Sequence, residues 1–193
     1  SEFLQRFDQV PLWLFGLGNH ETSVLNKAST NLLERLAYDM RLRGVKAEAA
    51  GYWGYLRFMF RYTKGKEVVS RTLYWHHGTV GGNSPVTRGV IDTNRQAVFL
   101  HDADFVLNGH NHHAYVMPIQ VEKVNQKTMV PYTRSVWYLR TPGYQMSAPD
   151  SKRTLGFAAE RHRSPQPRGC MFLDLTYRKH GNAIEAEIRQ KIG

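Results

Sequence analysis

Apolar residues recur along the chain with two different spacings, which predicts a mixture of helices and strands. Residues 3–10 place apolar side chains at helical spacing and predict one amphipathic helix. Residues 11–15 form a short apolar run followed by glycine, which is typical of a buried strand. Residues 22–42 carry apolar side chains broadly along one face, so they predict a second helix that Gly44 ends.

The middle of the chain changes to alternation with a period of two. Aromatic residues alternate with other residues over 52–62, which predicts a strand. Lys64–Lys66 has the composition of a turn, and residues 67–75 predict a strand that returns beside the first. Residues 78–89 are rich in glycine and predict a loop.

The remainder of the chain predicts mostly strands. A helix over 91–101 precedes a short buried strand at 105–107, and a long loop covers 145–168. Four further strands are predicted near 114–121, 134–140, 170–178 and 183–190, with a turn at 180–182 before the last. This order predicts an α/β fold in which two mixed β-sheets pack together between flanking helices. No domain boundary is evident, so we expect a single domain over 1–193.

Composition narrows the class of protein and its partners. With 41% hydrophobic and 22% charged residues the chain has the composition of a folded domain, and no apolar run approaches the length of a membrane span. Cys170 is the one cysteine, which excludes an internal disulfide and favours the cytoplasm. The chain has 26 Lys and Arg residues against 16 Asp and Glu residues, which gives a net charge of +10. That charge either attracts phosphates and nucleic acid or only aids solubility.

Six of the nine histidines fall in three clusters, and each cluster directly follows a predicted strand. The clusters are His20, the pair His76 and His77, and the group His110, His112 and His113. Side chains at the carboxyl ends of adjacent strands converge on one edge of a sheet, and imidazole is a frequent ligand of transition metals. A lone histidine would usually have an ordinary structural role. Three glycine-flanked clusters together predict a metal site.

Three short blocks then carry a resemblance to a known family. Gly18–Glu21 matches the pattern G-N-H-[DE], and Gly109–His112 matches G-H-x-H. Between them, Trp75–Gly78 resembles a block of histidines at a strand end. Over roughly residues 10–115 the chain resembles the calcineurin-like metallophosphoesterases, with a weak likeness to uncharacterised phage and prophage members. The resemblance implies their α/β sandwich of two packed sheets.

The resemblance also implies metal ligands. Asn19 and His110 would bind the second of two divalent ions, together with either His76 or His77. A His-Gly pair occurs at this point in many members and favours His77, whereas a His-x-Pro pattern in others would select His76. His112 would bind the first ion. Mn, Zn, Fe and Ni are not distinguished.

Further residues take catalytic or substrate-binding roles by the same resemblance. His20 would contact the phosphate and protonate the leaving group, and Glu21 would hold His20 in place. The loop after the histidine pair either borders the substrate or is a flexible connection. Its candidate substrate-binding residues are Gly78, Gly81, Gly82 and Asn83.

Two earlier blocks of the family, D-x-H and G-D-x-x-D, do not occur in this chain. They would supply most ligands of the first ion, so only His112 remains for it. We therefore expect an N-terminally incomplete domain, inactive by itself and holding at most one of the two ions. A natural remnant of the fold is the alternative. The lost strands would leave an open sheet edge beside residues 11–15, to be covered by self-association or by an N-terminal fragment.

The expected function is hydrolysis of phosphate mono- or diesters at a two-metal centre, where bound ions polarise the phosphate and activate water. The positive charge favours a nucleic-acid or nucleotide substrate. The alternative is a non-catalytic nucleic-acid-binding or structural protein. In that case the alternating aromatics Tyr52, Trp53, Tyr55, Phe58 and Phe60 would stack on bases. A strand with one face in the core and one exposed would give the same pattern.

Overall fold

A computed structural model describes residues 11, 13–61, 68–78, 89–143, 168–178 and 183–192 of the protein. These residues contain three helices and nine strands, which confirms the mixed α/β class. They fall into two compact units, residues 1–54 and residues 55–193. A single phosphoesterase domain over the whole chain stays a prediction.

The first unit is built on a pair of short parallel strands. Strand β1 (Trp13–Gly16) pairs with β2 (Ala47–Ala50), and helices α1 (Asn19–Ala28) and α2 (Leu32–Leu42) lie between them in the chain. The buried residues of its core are Ala37, Met40, Val45 and Ala47, against which Trp13 and Phe15 pack. The core therefore joins α2 to the strand pair.

The prediction of one helix over 22–42 is wrong, because the structure has two helices there. Helix α1 ends before Ser29, which takes a left-handed conformation with φ 49°. The Asn31 side chain then caps α2, accepting from the backbone N–H groups of Leu33 and Glu34 at 3.2 and 3.1 Å. Short polar side chains bond to nearby backbone and so favour helix ends over helix interiors. Helix α2 ends just before Gly44, as predicted.

The second unit contains a five-stranded sheet with the strand order β3-β4-β5-β7-β6. These strands are β3 (Trp53–Arg61), β4 (Val68–His76), β5 (Phe105–Asn108), β6 (Tyr115–Val124) and β7 (Pro131–Arg140). Strands β4, β5 and β7 run parallel to one another, whereas β6 is antiparallel to β7, so the sheet is mixed. Helix α3 (Val90–Phe99) precedes β5, and the hairpin of β8 (Gly169–Arg178) and β9 (Ala183–Ile192) follows β7.

Alternate residues of the sheet enter two different cores, as the period of two requires. On one face Tyr74, Val106 and Tyr138 pack together, and Ala97 of α3 packs against them. On the other face Leu73, Phe105 and Leu139 pack against residues of the β8–β9 hairpin, including Met171, Leu173 and Ile188. A helix therefore covers one face of the sheet and a second, two-stranded sheet covers the other.

The remaining differences from the sequence predictions are local. Strand β2 was missed because alanine, which forms most of it, has low strand propensity. Several predictions lie outside the described residues: the helix at 3–10, the turns at 64–66 and 180–182, residues 79–88 of the glycine-rich loop, and residues 145–167 of the long loop. Within the described part of the chain, no helix is long and apolar enough to cross a membrane.

Candidate functional site

Two of the predicted histidine clusters meet at one edge of the five-stranded sheet. Strands β4 and β5 are parallel neighbours with His76 in register with Asn108, so both end at the same edge. His77 directly follows β4, and His110 follows β5 by two residues. Nδ1 of His110 lies 3.0 Å from Nε2 of His77. Their ring centroids are 4.9 Å apart, with the ring planes at 67°.

Glycines permit this close approach of the two strand ends. Gly78 has φ 113°, and a Cβ there would lie 2.6 Å from the Gly109 carbonyl oxygen and 2.8 Å from His110 Cβ. A Cβ on Gly109 would lie 3.0 Å from the His77 carbonyl oxygen. A side chain at either position would require the two strand ends to move apart. The close packing of the strand ends therefore explains the glycines of both motifs.

The turn after β5 holds two histidines in an unusual backbone conformation. His110 and His112 have φ values of 66° and 55°, in the left-handed region that residues other than glycine seldom adopt. The N–H of Asn111, between them, donates to the Gly109 carbonyl at 2.8 Å. Asn111 is 7% exposed, and neither polar atom of its side chain has a hydrogen-bond partner among the residues that the structure describes. Strain and unpaired polar groups of this kind concentrate at functional sites.

His112 lies against the segment that follows β7, the third parallel strand. Gly143 follows β7, and a Cβ on Gly143 would lie 2.6 Å from Nδ1 of His112. The imidazole therefore occupies the space that a side chain at residue 143 would need. Burial lowers the pKa of His112, which favours the neutral form that can ligate a metal.

His76 takes a different role from its neighbour His77. Its Nδ1 accepts a hydrogen bond from the Gly78 backbone N–H at 2.8 Å. Its ring stacks with Tyr74 at a centroid distance of 6.4 Å, and burial lowers the pKa of His76. Of the two adjacent histidines, it is therefore His77 whose ring nitrogen faces His110.

The 3.0 Å between the His77 and His110 nitrogens is a hydrogen-bonding distance, and it also fits two ligands of one metal ion. Two nitrogens about 2.1 Å from one ion are about 3.0 Å apart at right-angle coordination and about 3.4 Å apart in a tetrahedron. The observed 3.0 Å agrees with the first value. Over the described residues, no three His, Cys, Asp or Glu side chains come together as a metal-binding group. The described residues therefore provide two histidine nitrogens at a spacing compatible with one ion, and no third group of this kind.

Buried polar contacts hold the ends of the strands to α3, and no motif described above predicts them. Arg140, the last residue of β7, is 2% exposed; its guanidinium lies 3.9 Å from the Asp92 carboxylate and 4.8 Å from the centre of the Tyr115 ring. Asn108 and Gln96 exchange two side-chain hydrogen bonds of 2.8 and 2.9 Å. The sequence feature that indicates these contacts is a polar residue at the end of an apolar strand, which occurs at both Asn108 and Arg140.

The asparagine block lies in the first unit, at the start of α1. Asn19 and His20 open the helix and are exposed to solvent. The Glu21 carboxylate accepts a 3.1 Å hydrogen bond from the Gly18 N–H, so Glu21 caps the helix. The Tyr52 hydroxyl bonds to Thr22 Oγ1 at 2.6 Å. The roles that the resemblance gives to these residues stay predictions.

Of the candidate substrate-binding residues, Gly78 lies in the histidine site as described. Gly81, Gly82 and Asn83 lie outside the described residues. Comparisons of the chain with models of protein families, with curated proteins and with solved structures find no match.

Proposed function

We propose that this protein is a metal-dependent phosphoesterase built on the two-sheet fold of the metallophosphoesterases. The observation that supports it best is the meeting of His77 and His110, with ring nitrogens 3.0 Å apart at the ends of adjacent parallel strands. Both histidines come from blocks that resemble the family, and both lie in turns that need glycine.

In this proposal, His77 and His110 bind one divalent ion and His112 contributes to a second. A ligating nitrogen carries no proton, so the ring protons would lie on Nδ1 of His77 and Nε2 of His110. The resemblance adds Asn19 to the ion held by the pair. Bound ions would polarise the phosphate oxygens and lower the pKa of water, which is the chemistry that such a centre supplies.

The residues of the chain would orient the substrate and move a proton. His20 would donate its imidazolium proton to the departing oxygen as the general acid. The left-handed turn would fix the directions of His110 and His112 before substrate arrives, at a cost of about 1–2 kcal/mol for each residue. The Asn108–Gln96 hydrogen bonds stabilise the same strand ends and would offset part of that cost.

Metal titration of the 193-residue chain tests the ligand assignment. Calorimetry with Zn²⁺ or Mn²⁺ should give at most one ion per chain. His77→Ala and His110→Ala should each weaken that binding by about tenfold or more, and Asn19→Ala should weaken it as well. His101→Ala is the matched control, because His101 is exposed and lies outside the three blocks. Equal binding by all four variants would remove the basis of the proposal.

A second experiment tests the reaction. Bis(p-nitrophenyl) phosphate and p-nitrophenyl phosphate are offered with Mn²⁺ to the 193-residue chain and to the chain joined to any residues that its gene encodes upstream. The 193-residue chain should be inactive, since His112 is the one ligand left for the first ion. A metal-loaded longer protein that hydrolyses neither ester would refute the proposed function.

A further inference from the structure

The edge strand β3 presents a row of exposed side chains on one face. Along β3 the residues alternate between exposed and half-buried from Trp53 to Arg61. Within the second unit the exposed ones are Tyr55, Arg57, Met59 and Arg61; Tyr55 is 52% exposed and Met59 is 59% exposed. Their half-buried neighbours Leu56 and Phe58 pack into the core beneath the β8–β9 hairpin. The row is therefore the outer face of an ordered strand.

The chemistry of this row is basic and aromatic. Strands β3 and β4 have nine residues each and together carry three arginines and no aspartate or glutamate. Nε and Nη2 of Arg57 each lie 3.1 Å from Ser70 Oγ on β4, which fixes the plane of the guanidinium. A guanidinium has five N–H donors, so Nη1 of Arg57 can still donate outward. Such a face attracts an anion that also offers apolar surface.

A line of aromatic contacts joins this face to the histidine site. The Tyr55 ring meets the Tyr74 ring edge to face, with centroids 5.0 Å apart. Tyr74 in turn stacks with His76, which directly precedes His77. The core beneath α3 draws its sheet residues from β4 to β7 and contains none from β3. The exposed row therefore lies on the same face of the sheet as α3, beside the part that the helix covers, and leads toward the edge where His77 meets His110.

We propose that Tyr55, Arg57, Met59 and Arg61 bind single-stranded nucleic acid along β3, which makes a nucleic-acid phosphodiester the substrate class of the candidate site. Alternate residues of a strand are about 6.7 Å apart, so the row spans about 20 Å, enough for a few nucleotides. Tyr55 would stack on a base, and Arg57 and Arg61 would contact phosphates. The net charge of +10 favours the same partner. Only the assignment of substrate class rests on the proposed function.

Binding is measured by fluorescence anisotropy with a labelled oligothymidylate of about 15 nucleotides. EDTA is present throughout, so that neither hydrolysis nor a bound metal contributes. Failure of binding then leaves the metal and hydrolysis experiments unaffected, and failure of those leaves this result unaffected. The salt concentration is varied from about 50 to about 200 mM, which gives the number of phosphate contacts.

Two sets of variants locate the site. Tyr55→Leu should weaken binding about fivefold or more, whereas Tyr55→Phe should bind like the unchanged chain. Tyr132→Leu, at an exposed tyrosine on β7, is the control. Replacing Arg57 and Arg61 with Gln should reduce the slope of log K against log salt by about 1.4. The pair Arg43→Gln and Arg95→Gln removes the same charge from exposed positions on other elements.

Three outcomes would overturn the proposal. The first is equal binding by the β3 variants and their controls. The second is no saturable binding by the unchanged chain at the lowest salt. The third is a dimer in sedimentation that Tyr55→Leu dissociates, because the face would then bind a second copy of the chain. Circular dichroism of each variant verifies that it is folded.

Discussion

Gly78→Ala should be among the most damaging single-methyl changes in this protein. The added Cβ would lie 2.6 Å from a backbone oxygen and 2.8 Å from His110 Cβ, so no flexible side chain can simply move aside. Gly78 also has φ 113°, where an L-residue costs about 1–2 kcal/mol. Overpacking adds about 1–3 kcal/mol. We expect a loss of about 2–5 kcal/mol in the free energy of unfolding.

Gly44→Ala separates the two contributions. Gly44 also has a positive φ, of 80°, but a Cβ there would meet nothing within 4 Å. Its replacement should therefore cost only the backbone term of about 1–2 kcal/mol. Urea unfolding of both variants measures the difference, and metal calorimetry of Gly78→Ala should show weakened binding because His77 and His110 are pushed apart. Equal losses in the two variants, with unchanged metal binding, would refute the close approach of the two strand ends.

Three further predictions concern the site and its support. In whichever form of the protein hydrolyses either ester, His20→Ala should lower turnover by about 10²–10⁴-fold with metal content unchanged; a parallel loss of metal would make His20 a ligand. Asn108→Ala should cost about 1–3 kcal/mol by leaving Gln96 without its partner, and a double-mutant cycle with Gln96→Ala should reveal the coupling in urea unfolding. Burial, and to a lesser extent Tyr115, raises the pKa of Tyr138 above its ordinary value of 10.0. The unfolded chain then loses its phenolic proton first, so stability should fall as pH rises above about 10; urea midpoints of Tyr138→Phe should fall less steeply, and an unchanged slope would contradict this account.

Much of the fold follows from the period of apolar residues. The alternation in β3 and the apolar runs of β4 and β5 were sufficient to place those strands, because one face or both faces of each are buried. The division between α1 and α2 needed a different signal, the capping side chain of Asn31, which apolar periodicity does not report. Neither apolar periodicity nor a capping side chain predicts strand β2, since its alanines are small enough to fit many environments.

The part of the histidine site that could be predicted is the part that depends on strand direction. Parallel neighbouring strands bring His77 and His110 to one edge, and the order of the motifs was enough to anticipate that meeting. Sequence alone did not indicate that His76 would turn to the Gly78 N–H, or that Arg140 would be buried beside Asp92. Those arrangements depend on residues distant in sequence, whose pairing has no local pattern.

At His110 and His112 the left-handed backbone lowers the stability of the fold, whereas the proposed function needs the imidazoles. Glycine adopts positive φ without a steric penalty, so His110→Gly would relieve backbone strain of about 1–2 kcal/mol while it deletes an imidazole. Selection for stability alone would therefore favour glycine in this turn. Engineering for a higher melting temperature should leave both positions unchanged, since the substitution that best relaxes the backbone removes the side chains on which the proposed chemistry depends.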